Sequence, residues 1–156
     1  MSAAAVLQAA RAAGLTIATA ESCTGGMVAA SLTDIAGSSV VFERGFVTYS
    51  NTAKREMLGV QEATLATHGA VSEEVALEMA KGALAHSDAT LTVSITGIAG
   101  PGGSEHKPEG RVCFGLAQTG QPTLVETVEF GALGRAQVRQ AATEHALALL
   151  LSASQP

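Results

Sequence analysis

Three times along this chain a short β-prone stretch runs straight into a cluster of small polar residues and glycines. The clusters are Ala20-Glu21-Ser22-Cys23-Thr24-Gly25-Gly26, Val47-Thr48-Tyr49-Ser50-Asn51-Thr52-Ala53-Lys54 and Thr96-Gly97-Ile98-Ala99-Gly100-Pro101-Gly102-Gly103-Ser104. The first two lead into helical spacing and the third into a long loop. A chain that passes from strand through polar turn to helix in this way buries its strands under helices, the layered α/β solution. Apolar residues make up 47% and aromatic ones only 3%. A core of Ala, Val, Leu and Ile lets helices and sheet pack closely. The 156 residues suit one domain with a single core.

Ala3 to Ala13 reads as a helix closed by Gly14, and Leu15 to Ala20 as a strand. Thr24-Gly25-Gly26 opens a second helix, and Val40 to Tyr49 is the next strand. Asn51 caps a short helix to Leu58, and Ser72, with Glu73 and Glu74 behind it, caps a longer one to about His86. Ala89 to Ile98 is a buried strand, and the loop Ala99 to Gly110 follows it. Arg111 to Ala117 and Thr123 to Phe130 pair as a hairpin, and Leu133 to Leu151 closes the chain as an amphipathic helix. The expected fold is a three-layer α/β/α sandwich with a mixed central sheet, residues 1–156 forming one domain.

Several function classes drop out. Net charge is −5 with no concentrated basic surface, so nucleic acid is not the expected partner. A single small anion can still be held by backbone N–H groups and one or two basic side chains. Cys23 and Cys113 lack metal-clip or redox spacing and point to a reducing compartment. The N-terminus has no signal-peptide pattern, and the apolar run Ala146 to Leu151 falls well short of the ~20 residues that span a bilayer. The expectation is a soluble cytoplasmic protein without membrane contact. His68, His86, His106 and His145 lack ligand spacing, so no metal is expected, and no phosphate-loop, GxGxxG or GxSxG motif is present. A Ser-His-Asp triad is not excluded by spacing alone.

Each cluster admits a chemical and a structural account. Ser22 stands where a strand meets a glycine-opened helix, whose free N–H groups can stabilise an oxyanion; alternatively Ser22 and Thr24 only cap that helix. Cys23 is a rival nucleophile, or a small buried residue. Lys54 lies in the first turn of a helix, where the dipole and burial would lower its pKa and make it a usable base; alternatively its head group reaches water. Tyr49, the single tyrosine, can donate a hydrogen bond to the same centre. The third cluster forms an anion-holding nest or a flexible surface loop.

AESCTGG (20–26), DIAGSS (34–39), VTYSNTAK (47–54), HGAVSEEVA (68–76), TGIAGPGG (96–103) and KPEG (107–110), with Gly134-Arg135 and Arg139 near the end, together resemble one family. It is the C-terminal domain family of the competence-damage protein CinA, whose stand-alone members include nicotinamide-nucleotide amidases. The resemblance covers about the whole chain. It implies an α/β/α domain that converts nicotinamide mononucleotide to nicotinic acid mononucleotide and ammonia, without metal or organic cofactor. Carried over residue by residue, it makes Ser22 the nucleophile, Lys54 its base and Tyr49 a third catalytic residue. Cys23, Thr24, Gly25, Gly26, Thr96, Gly97, Gly100, Gly102 and Gly103 become substrate-binding, with Arg135 a candidate for the phosphate. Gly134 departs from the acidic residue that often precedes this arginine. Two other functions stay open: a nucleotide-binding module without catalysis, and an amidase for another small amide. The Ala- and Leu-rich helices are compatible with a homo-oligomer.

Overall fold

A computed structural model describes residues 2–156 and contains a five-stranded mixed sheet in the order β2-β1-β3-β4-β5. The strands are β1 (Ile17–Glu21), β2 (Phe42–Val47), β3 (Leu91–Gly97), β4 (Arg111–Gln118) and β5 (Leu124–Glu129). β1 runs parallel to both β2 and β3, while β3, β4 and β5 are successively antiparallel. Helices α1 (Ala3–Ala12), α2 (Met27–Thr33) and α6 (Arg135–Ser154) cover one face. On the other face α5 (Glu73–Ala85) packs on the sheet and carries α3 (Asn51–Leu58) and α4 (Glu62–His68) against it. This is the expected three-layer sandwich.

The differences are local and have physical causes. Helix α4 was not foreseen, because only Leu65 of its residues packs on a core cluster and the segment therefore has no apolar stripe. Strand β2 starts at Phe42, after a 3₁₀ turn at Ser38–Val40, and α6 continues past Leu151 to Ser154. The cap of α3 is Ser50, not Asn51: its hydroxyl accepts from Ala53 N at 3.0 Å.

Period-two alternation on β3 separates two kinds of packing. Leu91, Val93 and Ile95 enter the larger core beneath α6, beside Val28, Phe114 and Val138. The intervening residues face α5 with hydroxyls. Thr92 donates to the Ala80 carbonyl at 2.7 Å and Ser94 to that of Ala76 at 2.6 Å. Two residues of strand advance about 6.7 Å and four of helix about 6 Å, so the two ladders stay in step. Such bonds require the helix backbone to lie close to the sheet, and the small residues of α5 (Ala76, Ala80, Gly82 and Ala83) allow it.

Gly82 also sets the place of α3, since a Cβ there would collide with the backbone of Leu58. Alanine at position 82 gains about 1 kcal/mol of helix propensity but must push α3 away, an overpacking cost of about 1–3 kcal/mol or more. The overlap is with main chain, so the second effect wins. Gly82→Ala should lower the urea midpoint at unchanged m-value, by a net loss of up to about 2 kcal/mol. An unchanged midpoint would show that the two helices can separate freely.

Strand β1 is the topological switch point. The crossover from β1 to β2 passes through α2 on one face, and that from β2 to β3 through α3, α4 and α5 on the other. The carboxyl ends of β1, β2 and β3 therefore open onto one crevice, the usual ligand position in such sheets. The three polar clusters sit at those ends.

Candidate active site

Glu21, the last residue of β1, is fully buried. Its carboxylate oxygens accept from Val28 N and Ala29 N, each at 3.0 Å. This satisfies the open first turn of α2 with a negative group, as the helix dipole favours. Neither Ser22 nor Thr24 supplies a side-chain cap, and the helix starts at Met27 with Gly26 in the left-handed region at φ 104°. A Glu just before a glycine-opened helix was the signal available in the sequence.

With that role taken by Glu21, Ser22 is free for other work. Its N–H donates to the Ile95 carbonyl at 2.9 Å, which ties it to β3, and its side chain is only slightly exposed. Arg139 reaches across from α6, its Nε donating to the Cys23 carbonyl at 3.0 Å and Nη2 to that of Thr24 at 3.5 Å. Peptide planarity then turns the Thr24 N–H to the side opposite the guanidinium. Among the described residues the N–H groups of Cys23, Thr24 and Gly26 donate to no acceptor in the chain.

Lys54 is 1% exposed. Its Nζ lies 2.9 Å from Ser22 Oγ and donates to the carbonyls of Thr48 at 3.0 Å and Tyr49 at 3.3 Å. Among the described residues no carboxylate forms an ion pair with it. Burial holds its pKa below the ordinary lysine value, with Cys23 and Glu105 pulling weakly the other way. An ammonium would donate to all three neighbours, whereas a neutral amine gives its two N–H groups to the carbonyls and leaves its lone pair for the Ser22 hydroxyl. Cys23 sits in the main core, and burial pushes its thiol up to about 12, so the nucleophilic thiolate is absent near neutral pH.

Beside this pair lies a cleft of about 280 Å³ walled by the glycine loop. Cys23, Tyr49, Gly97, Gly100, Gly102, Gly103 and Arg135 line it, as do Ile98, Ala99, Pro101 and Ser104 of the third cluster. Ser22 and Lys54 themselves, with Thr24, Gly25, Gly26 and Thr96, lie outside that lining. Thr96 is buried and donates to the Ala70 carbonyl at 2.8 Å. Gly25 instead packs on Arg139, whose Nη2 would be 3.3 Å from a Cβ there. Tyr49 reaches Lys54 only through its carbonyl. The residue is 61% exposed, and the phenol oxygen accepts from Arg135 Nη2 at 2.8 Å.

The loop itself is tied down. Arg135 Nη1 donates to the Gly100 carbonyl at 2.6 Å, and Lys107 Nζ donates to those of His68, at 2.7 Å, and Val71. Glu109 accepts from Gly102 N at 2.7 Å. Glu109 and Lys107 stand in the KPEG segment, which the family resemblance marked without giving either residue a role.

The sequence profile of the CinA C-terminal domain matches residues 1–154. The chain is 58% identical over 144 residues to the nicotinamide-nucleotide amidohydrolase PncC of Escherichia coli K12, covering 92% of this chain and 87% of that protein. Two crystal structures superpose closely. The competence/damage inducible protein CihA from Agrobacterium tumefaciens is 47% identical with a TM-score of 0.89, over 97% of this chain and 96% of that one. The competence damage-inducible protein A (ComA) from Klebsiella pneumoniae is 40% identical with a TM-score of 0.92, over 96% and 92%.

Proposed function

This chain belongs to the CinA C-terminal domain family, and from that premise we propose that its cleft is the active site of a nicotinamide-nucleotide amidase. It hydrolyses the carboxamide of nicotinamide mononucleotide to the carboxylate and ammonia. The observation that carries the catalytic assignment is a buried lysine without an acidic partner, 2.9 Å from a serine hydroxyl. A module that only bound nucleotide would have no use for an amine kept in such surroundings.

In the proposed reaction, neutral Lys54 takes the Ser22 proton as Oγ attacks the carboxamide carbon. The carbonyl oxygen becomes an oxyanion, and the N–H groups of Cys23, Thr24 and Gly26, which meet no acceptor in the chain, are its proposed donors. Lys54 returns the proton to the amide nitrogen, the C–N bond breaks and ammonia leaves. Water then attacks the ester, Lys54 accepts its proton, and transfer to Ser22 Oγ releases nicotinic acid mononucleotide. Arg135 and the loop Gly100 to Gly103 are the proposed seat of the phosphate, since they offer a guanidinium and backbone N–H groups. Tyr49 orients Arg135 there.

A nucleotide substrate suits a cytoplasmic protein, and the net charge of −5 argues against a nucleic-acid partner. No helix among the described residues is long and apolar enough to cross a membrane. Ammonia release from nicotinamide mononucleotide by the purified protein tests the proposal. Turnover with matching nicotinic acid mononucleotide is expected. A folded protein that binds the nucleotide but releases no ammonia would establish the binding-module function instead. Turnover of other small amides alone would move the substrate.

A further inference from the structure

Glu109 makes two contacts on opposite sides of one carboxylate. Oε1 accepts from Gly102 N at 2.7 Å in the glycine loop, and Oε2 accepts from Gly134 N at 2.8 Å, at the N-cap of α6. The side chain does not line the cleft; it lies behind the loop. There it packs so closely that a Cβ on Gly100, which has φ +88°, would stand 2.6 Å from Glu109 Cδ. Gly134 is followed at once by Arg135, whose guanidinium returns to the Gly100 carbonyl and the Tyr49 phenol. The contacts close a ring: Glu109 to Gly102, along the loop to Gly100, across to Arg135, back through Gly134 to Glu109.

We propose that Glu109 is a positioning residue that holds the glycine loop and Arg135 at their spacing before substrate arrives, and so sets the affinity for the nucleotide's anionic end. The proposal rests on the assignment of that end to Arg135 and the loop. Charge-assisted bonds to a carboxylate are stronger than neutral ones, and both N–H groups lose their acceptor when it is removed. The ordering of loop and arginine then has to occur during binding, which weakens it. The chemical step should be spared, because Ser22 and Lys54 are held by different contacts, to Ile95, Thr48 and Tyr49.

The test compares Glu109→Gln and Glu109→Ala with wild type in steady-state kinetics, thermal melts and a cycle with Arg135→Ala. The expected result is a KM for nicotinamide mononucleotide raised about tenfold, the effect of roughly one lost charge-assisted bond, with kcat within about twofold. In the double variant Glu109→Gln/Arg135→Ala, KM should rise by less than the product of the single effects, since Glu109 acts partly through Arg135. Unchanged KM in both Glu109 variants overturns the proposal. So does a loss of kcat in step with a lower Tm, which marks a merely structural tie, and so does a strictly multiplicative cycle. If wild type releases no ammonia, the amidase assignment fails separately, and the same comparisons are made on the Kd for nicotinamide mononucleotide by calorimetry. Absence of both turnover and binding removes both proposals.

Discussion

Ser22→Ala should still bind nicotinamide mononucleotide, with ammonia release lost by a factor on the order of 10⁴–10⁶, the range for removing an activated nucleophile. The substitution deletes one oxygen and leaves the scaffold in place. The residue's N–H keeps its bond to Ile95, and Lys54 keeps the Thr48 and Tyr49 carbonyls. No neighbour can take over. The adjacent Cys23 lies in the core with its thiol pushed up to about 12, and its thiolate fraction at neutral pH is negligible. Binding should survive because the cleft walls come from the glycine loop, Tyr49 and Arg135. Calorimetry for Kd and single-turnover ammonia release separate the two quantities. Residual turnover within tenfold of wild type would remove Ser22 from the chemistry, and loss of binding equal to the loss of rate would make it a substrate contact.

What could be read from the sequence, and what could not, divides along range of interaction. All five strands were legible because alternation, β-branching and flanking glycines are local signals. The position of Ser22, Lys54 and the glycine loop at strand ends was legible for the same reason. Which of these strand ends meet was not, since the order β2-β1-β3 is decided by crossovers on opposite faces. The choice between a serine that caps a helix and one that is free depended on Glu21, whose carboxylate reaches Val28 and Ala29 across the turn. The burial of Lys54 depended on a segment distant in sequence, since its amine meets Ser22 at the end of β1. Tyr49 shows the limit most plainly. A single tyrosine between serine and lysine invites a direct role for its phenol, yet its carbonyl faces the amine and its phenol meets Arg135 on α6.

Lys54→Met should separate activity from stability more sharply than any other substitution. Methionine keeps the length of the stem but can neither accept the Ser22 proton nor return it to nitrogen. A loss in kcat on the order of 10²–10⁴ is expected for the base function alone. The fold should gain. Lys54 is buried without an anion, and burial lowers its pKa in the native state, whereas the unfolded chain titrates near an ordinary lysine, at about 10.4. Between the native value and about 10.4 the unfolded state binds more protons, so wild-type stability rises with pH through that window and is level above it. Below the native pKa both states carry the proton, and the full penalty of a buried charge remains. Methionine removes this dependence. The stability difference, Lys54→Met minus wild type, should therefore be largest and favourable at low pH and shrink as pH approaches about 10.4. The rate profile carries the same sign: wild-type kcat/KM climbs as Lys54 loses its proton and levels off below about 10.4. Urea melts at several pH values and a pH–rate profile measure both. A variant less stable than wild type at every pH would mean that the bonds to Thr48 and Tyr49 outweigh the burial of the amine. A rate still rising at pH 10.4 would mean that the amine keeps an ordinary lysine pKa in the working enzyme, and a rate that falls as the amine deprotonates would mean that it is charged when the serine attacks.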